Sequence, residues 1–174
     1  IRKFRQEPVS RELLLRLVDA ARVAPSGMNL QHLKYKIVDD PAETAALFPL
    51  LAWAGYIQPA GNPRPGEEPT AYILLYQDTA IRSGSAAYGA AAQSILLCAQ
   101  EAGVASCWLG SVNREKAREL FHIPEHLQLL YVLALGYPAE VSVAEPARDG
   151  DIKYYKDAAG RLHVPKRSLD EVLL

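Results

Sequence analysis

Side chains able to do chemistry unaided are scarce in this sequence. His122 and His126 stand four apart, a spacing that on a helix could hold a metal. Pro124 lies between them and breaks the helix, and no third ligand is near. His32 and His163 are isolated and read as solvated. Cys98 and Cys107 lie in apolar context, without CxxC spacing and without a charged neighbour to activate a thiolate. No GxSxG, GxGxxG or GxxxxGK(S/T) is present, and no carboxylate pair is placed for acid–base work. Chemistry here requires a borrowed cofactor, or the chain is not an enzyme.

Three separated pieces suit such a cofactor: Arg2 at the N-terminus, Ser26, Asn29 and Gln31 in a turn after a helix, and Lys166 with Arg167 near the C-terminus. Cationic side chains and a hydroxyl converging from both ends of a chain suit a phosphate, which guanidinium groups chelate bidentately. Amide side chains suit the donor–acceptor edge of a flat heterocycle. Each alone is ordinary surface; their order along the chain makes the combination specific.

The elements that must position these residues centre on the stretch SAAYGAAAQSILLCAQEAGVASCWLGS, from Ser85 to Ser111. No charged residue lies between Arg82 and Glu101. A helix that is apolar or small nearly all round is buried on most faces. It reads either as a core helix or as a helix at the heart of a dimer, where Ala91 would pack against a second copy. Gly103 stands where a left-handed cap is wanted, and 104–109 reads as a short buried strand. Ahead of it, Ser10 caps a helix striped by Leu13, Leu14, Leu17, Val18 and Ala21, and Pro25 ends it. Strands follow at 34–38, 71–77 and 128–135, with helices at 42–51 and, capped by Asn113, at 114–121. Between Gly55 and Pro69 the glycines and prolines exclude a helix or central strand, and such a loop is a lid or binding loop. From Ala139 onward periodicity fades, and the polar tail is expected to need another surface to lie on.

The 174 residues suit one domain spanning 1–174, and the net charge of −1 gives no reason to expect nucleic acid or an anionic membrane as partner. No apolar run reaches the ~18 residues of a spanning helix. Two reduced cysteines fit the cytoplasm.

The order IRKF, PSGMNLQ, the small-residue helix with GVASCWLGS, then REKARELFHIPEHLQLLYVLALGYP and PKRSLDEV resembles the FMN-dependent nitroreductase family over essentially the whole chain. The resemblance implies an α+β fold with a central antiparallel sheet flanked by helices. It also implies a domain-swapped homodimer with FMN at the interface. By that resemblance Arg2 lies near the flavin N1/O2 edge, and Pro25, Ser26, Gly27, Asn29 and Gln31 belong to the loop that reaches the flavin of the other subunit. Leu109 and Gly110 form the turn beside N5, and Lys166 and Arg167 hold the phosphate. The family's Arg-x-Ser opening falls two or three residues ahead of Ile1, so it either precedes residue 1 in the natural protein or phosphate binding is weakened. Tyr88 stands where an acidic residue is usual.

The activity so implied is ping-pong transfer from NAD(P)H through FMN to a nitroaromatic, quinone or similar small acceptor. The 55–69 loop with Trp53 and Tyr56 would choose that acceptor, though core packing explains the two aromatics equally well. The alternatives are reductive dehalogenation or flavin use as a substrate, and a non-catalytic flavin-binding protein.

Overall fold

Two layers of helix cover the two faces of one antiparallel sheet. In the computed structural model, which describes residues 1–81 and 87–174, the elements run α1 (Arg11–Arg22), β1 (Leu33–Val38), α2 (Pro41–Leu47), β2 (Ala71–Asp78), α3 (Ala87–Glu101), β3 (Ala105–Leu109), α4 (Arg114–Leu120), β4 (Leu127–Gly136), β5 (Ser142–Pro146), β6 (Tyr155–Lys156) and β7 (Leu162–Lys166). The main sheet has the order β1-β2-β4-β3, all antiparallel. The expected first residues of the central helix, Ser85 and Ala86, lie outside the described residues.

β2 is buried from Ala71 to Tyr76 because alternate side chains enter two different cores. Ala71, Ile73 and Leu75 pack with Leu133 and Leu135 of β4 against Leu14, Leu17 and Ala21 of α1 and Ala91, Ala92, Ile95 and Ala99 of α3. Tyr72, Leu74 and Tyr76 pack with Val132 and Ala134 against Leu47, Trp53, Ala117 and Phe121. Ala91 therefore faces its own sheet rather than a partner. The outward side of α3 carries Gln93, Gln100 and Leu97, which is 61% exposed.

The local signals act as their chemistry dictates. The Ser10 hydroxyl accepts from the Leu13 N–H, and the Asn113 side chain accepts from the Lys116 N–H. At Gly103 (φ +74°) the N–H bonds the Gln100 carbonyl, while the Val104 N–H bonds that of Ala99. This is a Schellman ending, which a residue with a Cβ adopts only under strain.

Two expectations need correction. The helix expected over 42–51 stops at Leu47 and continues as one 3-10 turn, Phe48–Leu50, because Pro49 has no N–H for a further α-helical bond. The tail does not lack order of its own: β5, β7 and β6 form a second sheet, with β5 parallel and β6 antiparallel to β7, and Leu162 is buried. Among the described residues no helix is long and apolar enough to cross a membrane.

Candidate active site

The N-terminal arm is tied to the end of β4 and to the 55–69 loop. Phe4 is bridged to Pro138; the Arg5 N–H donates to Tyr137 O at 2.8 Å and the Ala139 N–H to Lys3 O at 2.9 Å. The Phe4 N–H donates to Glu67 O at 3.0 Å, and Lys3 Nζ lies 2.7 Å from a Glu67 carboxylate oxygen. Arg2 donates its backbone N–H to Glu140 Oε1 at 2.6 Å, and Lys156 Nζ sits 2.7 Å from Glu140 Oε2. Burial opposes ionisation of Glu140, yet the hydrogen bonds from Lys156 and from the Arg2 backbone outweigh it and hold the carboxyl below its usual range.

The Arg2 guanidinium lies over the Tyr154 ring, 4.4 Å from its centre. Tyr56, 59% exposed, packs on the same ring at 4.9 Å. The backbone below Tyr56 runs beside the turn after β3: Leu51 is bridged to Val112, and the Ala52 N–H donates to Ser111 O. Gly110 is exposed in that turn, against Tyr131, and its carbonyl accepts from Arg114 Nη2 at 3.1 Å. The arm, the turn at Leu109 and Gly110, and the loop are thereby gathered on the β3 side of the main sheet. Trp53 belongs beneath this surface: it is 4% exposed and packs on Phe48, rings 5.9 Å apart.

The segment from Pro25 to Gln31 is elsewhere, leading into β1 at the opposite edge. It holds left-handed backbone at three residues that carry a Cβ, Met28 (φ +52°), Asn29 (φ +54°) and Gln31 (φ +49°), at about 1–2 kcal/mol each and less for Asn. The Ser26 hydroxyl steadies it by accepting the Gln31 N–H at 3.1 Å, and Met28 projects outward, 93% exposed. Beneath it a cavity of about 210 Å³ is lined by Pro25, Ser26, Gln31, His32, Tyr35 and Ala91, among others. His32 is not solvated as expected: it is buried, with Nδ1 unpartnered among the described residues. Its carbonyl accepts the Asp78 N–H, which fixes its backbone beside the end of β2.

Lys166 and Arg167 stand exposed at the end of β7, with no salt bridge among the described residues. His163, also expected in solvent, is instead half-buried, with Nδ1 2.8 Å from Glu145 and Nε2 3.3 Å from Asp157. The residue that sequence reasoning missed is Tyr154, whose only local trace is the pair Tyr154-Tyr155 in an otherwise charged stretch.

Comparisons with known proteins point to one family. Residues 1–137 match the family model described as Nitroreductase family. The chain is 28% identical to an NADH dehydrogenase of Thermus thermophilus, covering 80% of this chain and 82% of that one. It is 26% identical to an FMN reductase (NADPH) of Bacillus subtilis, covering 90% and 69%. A nitroreductase-like protein from Desulfovibrio desulfuricans, crystallised in complex with FMN, superposes with a TM-score of 0.68 at 25% identity, covering 100% of this chain and 89% of that one. The chain belongs to the nitroreductase family.

Proposed function

We propose that the chain is an FMN-dependent oxidoreductase that binds the cofactor between two copies of itself. With NAD(P)H as donor it reduces nitroaromatics, quinones or similar small acceptors in alternating half-reactions. The observation that carries this reading is the split of the binding groups between two edges of one sheet. Arg2 and Gly110 lie on the β3 side, and Ser26, Asn29 and Gln31 lead into β1. Three inter-strand steps separate those strands, about 14 Å, so a second copy is the natural source of the loop for each site. The uncharged outward side of α3, with Leu97 exposed, supports the same association.

The donor set fits FMN. Arg2 is a held monocation whose charge suits the negative charge that gathers on the ring's pyrimidine side on reduction. Leu109 and Gly110 offer backbone in a turn with no Cβ at Gly110. Ser26, Asn29 and Gln31 offer hydroxyl and amide groups on a strained loop, and strain of this kind clusters where a ligand is gripped. Lys166 and Arg167, in no salt bridge among the described residues, would hold the phosphate. FMN, when bound, supplies the redox chemistry, taking a hydride equivalent from reduced nicotinamide and delivering two electrons to an acceptor. Tyr56 and the 55–69 loop border the surface where an acceptor would lie.

The purified protein should be yellow, release FMN on acid treatment, and lose its flavin absorbance when NADH or NADPH is added without oxygen. Parallel double-reciprocal lines should follow when donor and acceptor are varied together. A protein that stays colourless after incubation with excess FMN contradicts the reading.

A further inference from the structure

The N-terminal arm, the 55–69 loop and the C-terminal tail meet on one side chain. Tyr154 offers its ring to the Arg2 guanidinium at 4.4 Å, within the distance at which a cation is attracted by an aromatic face. The Tyr56 ring packs on it at 4.9 Å with a 56° tilt. Its hydroxyl oxygen accepts the Tyr56 backbone N–H at 3.3 Å. Each end of this contact is tied separately: Glu140, its side chain 4% exposed, accepts the Arg2 backbone N–H at one oxygen and the side-chain ammonium of Lys156, two residues beyond Tyr154, at the other. The arm is thus fixed at its backbone, while the long Arg2 side chain has Tyr154 as its aromatic rest.

We propose that Tyr154 is a positioning residue with two separable parts. Its ring presets the Arg2 guanidinium for the flavin, and its hydroxyl couples that setting to Tyr56 and hence to the acceptor loop. The inference rests on the reading that Arg2 faces bound FMN. An arginine with many rotamers must lose freedom to hold one position, and a ring already in contact lessens that loss. Removing the ring lets the charge wander, so the reduced cofactor loses more than the oxidised one. Removing only the hydroxyl leaves the cation in place and releases the loop.

The test uses Tyr154→Phe, Tyr154→Leu and Arg2→Ala, each reconstituted with FMN, with Tyr154→Met replacing the leucine variant if that variant loses FMN. Three quantities are read: the FMN midpoint potential, the acceptor KM and kcat, and the rate at which chymotrypsin cuts the FMN-free protein after Tyr56. Tyr154→Leu should weaken binding of reduced relative to oxidised FMN threefold to tenfold, a fall of roughly 15–30 mV for a two-electron couple. It should also speed cutting after Tyr56 at least fivefold. Tyr154→Phe should hold the potential near that of the parent while raising acceptor KM. In an Arg2→Ala background Tyr154→Leu should move the potential no further. If Arg2→Ala shifts the potential and Tyr154→Leu does not, Tyr154 has no positioning role. If Arg2→Ala itself leaves the potential unchanged, Arg2 does not face the flavin and the reading beneath the proposal falls with it. Unchanged cutting after Tyr56 in the leucine variant refutes the link to the loop.

Discussion

Replacing Gly136 with Ala should damage the site from beneath, without touching any residue that contacts a ligand. Gly136 ends β4 opposite Ala105, and a Cβ there would sit 2.9 Å from Phe4 Cδ1, 3.0 Å from its Cβ and 3.1 Å from its Cγ. Phe4 cannot step aside cheaply. It is fully buried, and the arm around it is held by the bonds from Phe4 to Glu67, from Arg5 to Tyr137 and from Ala139 to Lys3. Overpacking of a tight core costs about 1–3 kcal/mol. At about 2–4 °C per kcal/mol for a domain of this size, Tm should fall by about 2–12 °C. Arg2 is two residues along the same arm, so a displaced Phe4 carries the guanidinium off its ring. Loss of one charge-assisted contact, about 1.5–3 kcal/mol, would weaken FMN at least tenfold.

Guanidinium denaturation of the FMN-free protein measures the first effect, and quenching of flavin fluorescence on titration measures the second. Phe4→Leu shrinks the obstructing ring, so it should recover part of both losses in the Gly136→Ala background. A double-mutant cycle should then give a coupling of about 1 kcal/mol or more between the two positions. The reasoning fails if Gly136→Ala melts and binds FMN like the parent, or if the two substitutions simply add.

Three further outcomes follow from the geometry. The double change Lys166→Ala with Arg167→Ala should weaken FMN far more than riboflavin, by about 1.5–3 kcal/mol per lost charged hydrogen bond, and calorimetric titration of both ligands checks it. Leu97→Glu should shift light scattering towards the monomer while leaving far-UV circular dichroism unchanged, because Leu97 is exposed and makes no part of either core; an unaltered dimer would place the interface elsewhere. The hydrogen bond His163 donates to Glu145, then that to Asp157, raises the His163 pKa, so its stabilising effect is complete below the unfolded-state value near 6.5 and is lost as pH rises through the folded value. Glu145, bonded first by His163 and then by Tyr155, and Asp157, bonded first by the Arg161 side chain, are held low, so their effect is lost as pH falls through the acid range. Amide protection in β5–β7, taken relative to the intrinsic exchange rate at each pH, should therefore be greatest between those limits, and His163→Gln should abolish the loss on the alkaline side.

The elements most legible in the sequence are those whose signals lie within one turn or one strand. Ser10 and Asn113 announce helix starts through an acceptor three residues ahead of an N–H, and Gly103 announces an end through a left-handed conformation it adopts without strain. β2 and β4 are apolar on both faces and can only be central. The second sheet lacks such a signal: β6 is two residues long, and the parallel pairing of β5 with β7 depends on where the chain returns. Ala91 illustrates a further limit. On a helix small all round, composition cannot say which side faces the sheet, and only the packing of α1 and β2 assigns it inward and leaves Leu97 outside. The histidines fail for the same reason, since burial of His32 and the carboxylates around His163 are supplied by partners distant in sequence or on other strands.

The candidate site shows why residue types were readable while their assembly was not. Arg2, Ser26, Gln31, Gly110, Lys166 and Arg167 are conspicuous by chemistry, but what holds Arg2 comes from positions 140 and 154, and what frames Gly110 comes from positions 51 and 52. Each of those partners is unremarkable in its own neighbourhood: Glu140 is one carboxylate after a turn, and Tyr154 one aromatic among charges. Their importance arises because β4 ends where the arm begins to pair, which brings Arg2 beside Glu140 and Tyr154. The loop from Pro25 to Gln31 is carried to the other edge by β1, so its strained backbone has no ligand to grip on its own side among the Arg2 and Gly110 groups. On the proposed reading a second copy completes the surface that one copy divides between opposite edges of its sheet, so association state becomes a condition of FMN binding, and a monomer that binds FMN refutes it.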